Sequence, residues 1–326
     1  MIAKQPSLFG AAFETRMVED VDAISLALVD GLQGEYVQLE SQPFRGRWTS
    51  IRWPSLVAQF GTQEAAVARR VRTPADRCAF IVPLAVPATA RWNGQPVRPG
   101  DLLVCPPRGE CLAFDPRATA FAILTVSASA PLLRNLPLPL VAGSAAPRLV
   151  ACGADTRLLR ERLVRARDAA ESRNVAALSD GGIEVEALLR ACLERAAGMR
   201  DETAPACSRS RIVRRAEEFF RTHVSEGVSV AQLSTVAGVS ERSLRNAFYE
   251  VYTTSPKRYM KLWQLHQVRR ALRAGDIETT TVTEAATCHG FYELGRFAGA
   301  YKSLFGEAPS ETLSKARHRQ ALQGAA

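Results

Sequence analysis

Histidine is scarce in this 326-residue chain and unevenly placed. There are four, His223, His266, His289 and His318, and none precedes position 223. A metal centre on a sheet or barrel wall is ordinarily built from imidazoles with a carboxylate. Composition therefore excludes a His-ligated site in the N-terminal two thirds. The seven cysteines, Cys78, Cys105, Cys111, Cys152, Cys192, Cys207 and Cys288, are odd in number, scattered and never in a C-x-x-C pair. They fit free buried thiols in a reducing compartment, not a disulfide framework or a metal knuckle. No apolar run approaches the roughly 20 residues of a membrane span, and Met1 to Gly10 lacks the order of a signal peptide. No nucleophile motif or phosphate loop is present. The expectation is a soluble cytoplasmic protein that is not an enzyme and carries no metal or cofactor.

Base is plentiful, but only toward one end. From Arg209 onward there are 18 Lys and Arg against 11 Asp and Glu, a net of +7. The whole chain carries +9, so the first 208 residues hold only +2. A basic segment on a near-neutral partner suggests a polyanion contact.

Along the chain, residues 21–33 suit a short helix. From about Tyr36 to Ser127, short runs rich in β-branched and aromatic residues recur between Gly, Pro and Asn. Asn93-Gly94 is a two-residue hairpin signal. Many short strands at this spacing predict a small antiparallel barrel or sandwich. Residues 130–150 are rich in Pro and Ala and lack a clear period. Helices are predicted from Thr156 to Ser172 and from about Ile183 to Met199, and Arg200 to Ser210 reads as a linker. The remainder reads as helical throughout. The domains are expected at 1–150, 151–208 and 209–326.

The last segment repeats itself. VSVAQLSTVAGVSERSLRNAFYEVYTTSP (228–256) matches TTVTEAATCHGFYELGRFAGAYKSLFGEAP (280–309). Val230 pairs with Val282 and Gly238 with Gly290 at an offset of 52; Leu244 pairs with Phe297, Phe248 with Tyr301 and Pro256 with Pro309 at 53. A capping box opens each copy, Ser229-x-x-Gln232 and Thr281-x-x-Glu284. A short helix then ends at a glycine that can take positive φ, Val239 or Phe291 plugs the angle, and a second helix follows. In the first copy Leu244, Ala247, Phe248 and Val251 face inward. Glu241, Arg242, Ser243, Arg245, Asn246 and Tyr249 face out. This is the layout of a helix-turn-helix whose second helix enters a major groove, where arginine pairs with guanine edges and asparagine with adenine. Between the copies, a helix from Pro256 to about Ala274, capped by Ser255, spans roughly 28 Å. One DNA turn is about 34 Å. Such a spacer would set two reading helices in successive grooves and predicts an asymmetric site.

Residues from about Arg211 to Ala316 resemble the AraC-type DNA-binding domain. The first copy carries Leu233, Gly238-Val239-Ser240, Leu244, Phe248, Ser255-Pro256 and Tyr259 at family spacing. The second carries Ala285, Gly290-Phe291, Phe297, Tyr301-Lys302, Phe305-Gly306 and Pro309, and looks particularly like the ethanolamine-operon activators. Ahead of it, Pro99-Gly100-Asp101-Leu102-Leu103-Val104 resembles a turn of the cupin-like effector barrel of such regulators. The fold this implies is α+β: an N-terminal cupin-like antiparallel β barrel, a helical dimerisation and linker segment, and an all-α C-terminal domain with two helix-turn-helix units. The resemblance also implies a homodimer through the 156–199 helices, promoter DNA and RNA polymerase as partners, and activation as output. Arg242, Arg245 and Asn246 match family contact positions, with Glu241 and Ser243 beside them. The sequence departs from the family at Thr253-Thr254, where glycine is common. It departs again in the second reading helix, where Leu294, Gly295, Ala298 and Gly299 leave only Arg296 and Lys302 charged. That unit reads as a clamp on phosphates.

For a small-molecule effector in the barrel, Arg45, Trp48, Arg52, Phe80 and Trp92 are the candidate contacts, set against simple core packing. Two rival readings stand beside the regulator: a non-specific DNA architectural protein, and a cupin enzyme fused to a DNA-binding domain.

Overall fold

Alternation of side chains across the pleat organises the N-terminal half. The computed structural model describes residues 12–134, 136, 147–151, 153–178, 181–197, 204–275 and 280–324. Contacts divide the chain into two units, one of Met1–Tyr36 with Phe44–Cys207, the other of Val37–Pro43 with Ser208–Ala326.

The first unit is built on β1 (Ala12–Val18), β2 (Gln33–Gln38), β3 (Gly46–Arg52), β4 (Leu56–Gln63), β5 (Val67–Arg72), β6 (Arg77–Ala85), β7 (Arg91–Trp92), β8 (Gln95–Pro96), β9 (Asp101–Cys105), β10 (Glu110–Asp115), β11 (Thr119–Ser127) and β12 (Arg148–Ala151). They form a seven-stranded sheet in the order β1-β3-β4-β11-β6-β9-β12 and a five-stranded sheet in the order β2-β5-β10-β7-β8. Every pairing in the large sheet is antiparallel. Neither order closes on itself: among the described residues the strands form two open sheets, the sandwich of the two alternatives that the strand pattern allows, and not the barrel that the resemblance implies. β1 and β12 carry no strand signal in the sequence. β1 is largely exposed and carries charge, and β12 is four residues in a stretch whose composition hides any period. Asn93 and Gly94 take φ of +50° and +80° between β7 and β8, the hairpin their order predicts.

β6 and β11 show how the large sheet is buried on both faces. Cys78, Phe80, Val82, Ala122, Leu124 and Val126 point to one side, where they meet Leu159 and Leu163 of α2 (Ala154–Glu171) and Leu189 and Cys192 of α3 (Gly181–Ala197). Ala79, Ile81, Phe121 and Ile123 point to the other, where they meet Val67, Val71, Trp92 and Ala113 of the small sheet. Helices, large sheet and small sheet are thus three layers around two apolar seams. A charged pair lies in the second seam. Arg69 and Asp115 are both fully buried and 2.7 Å apart, and the Trp92 indole donates to Asp115 Oδ1 at 3.0 Å. A short helix, α1 (Val21–Ala27), is capped by Asp20 and buries Val21, Ile24 and Ala27.

α4 (Ala204–Thr222) crosses the boundary at Ser208 and supplies the first helix of the second unit. This corrects the linker reading of 200–210: residues 204–210 are helical, because the apolar spacing of Val213, Ala216 and Phe220 extends upstream to buried Ser210, whereas 200–203 lie outside the described residues. There follow α5 (Val230–Ala237), α6 (Glu241–Tyr252), α7 (Pro256–Ala274), α8 (Val282–Cys288), α9 (Leu294–Phe305) and α10 (Pro309–Gly324). The central α7 is buried along much of its length, through Tyr259, Trp263, Leu265, Val268 and Leu272. Residues 37–43 belong here too. The Gln38 amide donates to Nε2 of His266 at 2.9 Å, and Arg258 donates to the Leu39 carbonyl at 3.0 Å. Among the described residues no helix is long and apolar enough to cross a membrane, and no three His, Cys, Asp or Glu side chains cluster as a metal would need.

Candidate nucleic-acid interface

The two repeats fold into two helix pairs, α5 with α6 and α8 with α9, one on either side of α7. In the first pair the capping box is complete: Ser229 Oγ accepts from the Gln232 amide and the Gln232 side chain accepts from the Ser229 amide. Gly238 ends α5 at φ +70°, and Ser240 caps α6 by accepting from the Ser243 amide. In the second pair the box is half made, with Thr281 accepting from the Glu284 amide. Gly290 takes φ +81°, and α9 starts at Glu293 with no side-chain cap. Phe291 packs on Phe297 with ring centroids 5.0 Å apart, the plug the sequence implied.

α6 is amphipathic because its apolar residues recur at three and four. Leu244, Ala247, Phe248, Val251 and Tyr252 are buried, while Arg242, Ser243, Arg245, Asn246 and Tyr249 are exposed. Arg245 is not loose: Glu241, one turn earlier, holds it in an ion pair. Arg242 and Asn246 carry no such tie among the described residues. α9 buries Phe297, Tyr301 and Leu304 and exposes Leu294, Gly295, Arg296, Ala298, Gly299 and Lys302. A Cβ added at Gly295 or Gly299 would meet open space. This outer face is therefore nearly bare backbone, with Arg296 paired to Glu293. All nine residues expected to meet DNA lie on α6 or α9 or at the first turn of one of them.

The five effector candidates do not converge. Trp48 and Trp92 lie in the seam between the sheets, Phe80 points to the helical side of the large sheet, and Arg45 and Arg52 are exposed. A shallow indentation bordered by Val18, Ile24, Phe44, Trp48 and Gly61 has no volume that a water molecule could occupy.

A set of contacts around the second turn has no counterpart in the sequence pattern. Tyr292 donates to the Ser225 carbonyl at 2.6 Å, and Gln264 of α7 donates to the His289 carbonyl at 2.8 Å. The repeat marks Gly290 as a turn glycine, but nothing in its spacing reveals what lies against it.

Residues 233–315 match a family model described as a helix-turn-helix domain. Among curated proteins, the chain is 40% identical over 102 residues to the Probable thc operon regulatory protein of Rhodococcus erythropolis, covering 31% of each. It is 36% identical over 103 residues to the XylDLEGF operon transcriptional activator of Pseudomonas putida, covering 32% of each. The match thus spans about a third of the length of these relatives. Among solved structures, a probable AraC family transcriptional regulator from Rhodopseudomonas palustris is 37% identical, with a TM-score of 0.30. That match covers 32% of this chain and 97% of that one.

Proposed function

Since the chain belongs, through its C-terminal third, to the AraC-type family of DNA-binding transcription regulators, we propose that it binds a specific, asymmetric promoter site through two unequal helix-turn-helix units and activates transcription. The observation that carries this reading is α6: an uninterrupted exposed row of Arg242, Arg245 and Asn246 on a helix fixed by a cap and a buried face. Those side chains can address base edges. The outer face of α9, bare at Gly295, Ala298 and Gly299, suits close approach of backbone to the duplex, with Lys302 on a phosphate. α7 has 19 residues and a rise of about 28 Å, a length that suits two readers about one DNA turn apart.

The N-terminal unit acts in this reading as a small-molecule sensor, with Trp48 and Trp92, which share the seam between the sheets, as the residues to probe. The helices α2 and α3 are the homodimer contact, and RNA polymerase is the downstream partner. No enzymatic chemistry is assigned.

The test is selection of binding sites from a random DNA library by the full chain, followed by competition. A two-part site without dyad symmetry, retained under excess random DNA at moderate salt, is the expected result. Loss of all binding to random competitor would replace this reading with a non-specific architectural role.

A further inference from the structure

The two turn glycines sit in the same place in their repeats but in different surroundings. At Gly238 an added Cβ would find nothing within 4 Å. At Gly290 it would lie 2.7 Å from the Val224 carbonyl oxygen and 2.8 Å from Gln264 Nε2. Both glycines need their positive φ; only Gly290 also needs its bareness. What presses on it is the 3₁₀ turn Val224–Glu226, which leads directly into Ser229, the cap of α5. The same turn receives the Tyr292 hydroxyl through the Ser225 carbonyl. On the other side of Gly290, Gln264 reaches out of α7 to the His289 carbonyl. Three contacts from two elements, the 3₁₀ turn and α7, thus meet at one five-residue turn.

We propose that Tyr292, Gln264 and Gly290 form a latch that sets the second reading helix at a fixed angle to the first. Each pair packs on its own half of α7, the first through Phe248 against Tyr259 and the second through Phe297 and Tyr301 with Leu265, Val268 and Leu272. The latch adds a direct tie between the pairs, fastening the turn before α9 to the turn before α5. Tyr292 is a positioning residue here. It stands at the junction of α8 and α9, and its hydroxyl is spent on a backbone carbonyl. The role rests on the two-unit DNA-binding reading above. It is felt only when both readers engage one duplex, because a lone reader does not depend on the angle of the other.

The test compares Tyr292→Phe with the wild-type full chain on DNA selected by the wild type, and on short duplexes truncated to one half of that site, which leave the other unit no DNA to grip. Removing one hydrogen bond predicts about a 2- to 10-fold loss of affinity for the intact site, unchanged affinity for either half alone, and a smaller penalty when one base pair is inserted between the halves. Equal loss on intact and half sites, or no loss on the intact site, overturns the latch. Hydrogen exchange of the free chain gives a reading that needs no DNA. Tyr292→Phe should speed exchange at the amides of residues 224–226 and 290–292 and leave the amides of α6 unchanged. Gly290→Ala should lower Tm more than Gly238→Ala, since both take the same backbone strain and only the first collides with Val224. Equal losses for the two glycines, or unchanged exchange in Tyr292→Phe, also overturn it. If no DNA sequence is selected, the DNA-binding reading fails on its own, and the exchange and Tm comparisons still decide the latch.

Discussion

Glu241 holds Arg245 across one turn of α6, at the start of the helix expected to read bases. Both side chains are largely exposed, so the pair contributes little to stability. Its effect is on geometry and charge: the guanidinium is kept near the helix surface and half neutralised until a stronger acceptor arrives. Arg245→Ala should cost about 1–3 kcal/mol on the selected site and relax one base position. Glu241→Gln should do the reverse for random DNA, raising non-specific affinity by freeing a positive charge. Lys302→Ala should weaken all sequences alike and reduce the salt slope by about one. Binding isotherms at several salt concentrations separate the three.

Thr253 ends α6 at φ +53°, a left-handed conformation that a β-branched residue seldom adopts. The repeat supplies its counterpart: 53 positions on, Gly306 ends α9 at φ +74°. Thr253→Gly should therefore raise stability by about 1 kcal/mol, read as an upward shift of the denaturation midpoint. DNA affinity should not change.

The Arg69–Asp115 pair is sealed between the two sheets. Burial disfavours the guanidinium charge, but the carboxylate outweighs it and keeps Arg69 protonated. Asp115→Ala leaves that charge buried without its carboxylate and should cost about 3–5 kcal/mol. Replacing both, as Arg69→Met with Asp115→Leu, should recover most of the loss. Urea denaturation of the single and double variants tests this.

Glu307 follows Gly306 at the end of α9. Burial pushes its carboxyl upward, but hydrogen bonds from Lys315 and Thr312, with the charge and hydrogen bond of Arg269, outweigh that and hold it at about 2. The folded value is below the ordinary value of 4.5, so the folded state binds fewer protons in between. Its contribution to stability is complete above about pH 4.5 and disappears as the pH falls toward 2. Stability measured across that window should fall less steeply in Glu307→Gln than in the wild type.

The helical third was legible because its signals are local. Ser229, Ser240 and Ser255 each cap the helix they precede, Gly238 and Gly290 take the expected turn conformation, and Leu244, Phe248 and Phe297 are buried at the predicted spacing. The β half was legible only as strands. Whether Phe80 or Ile81 faces the second sheet depends on which layer lies on which side, and an alternation that buries both faces carries no such label. Phe80 therefore looks in the sequence like a neighbour of Trp48 and Trp92, although it turns away from them. The Tyr292–Ser225 bond joins residues 67 positions apart, beyond the reach of any periodicity.

The membership of residues 37–43 in the C-terminal unit bears on how this gene can be cut and rejoined. The unit is not a contiguous stretch of polypeptide. A chimera grafting everything from Ser208 onward onto a foreign sensor would carry His266 and Arg258 but neither the Gln38 amide nor the Leu39 carbonyl that they engage. Transplanting the reader intact requires moving a heptapeptide encoded some 165 codons upstream of Ser208, so the boundary between modules of this protein is drawn in space and not along the message.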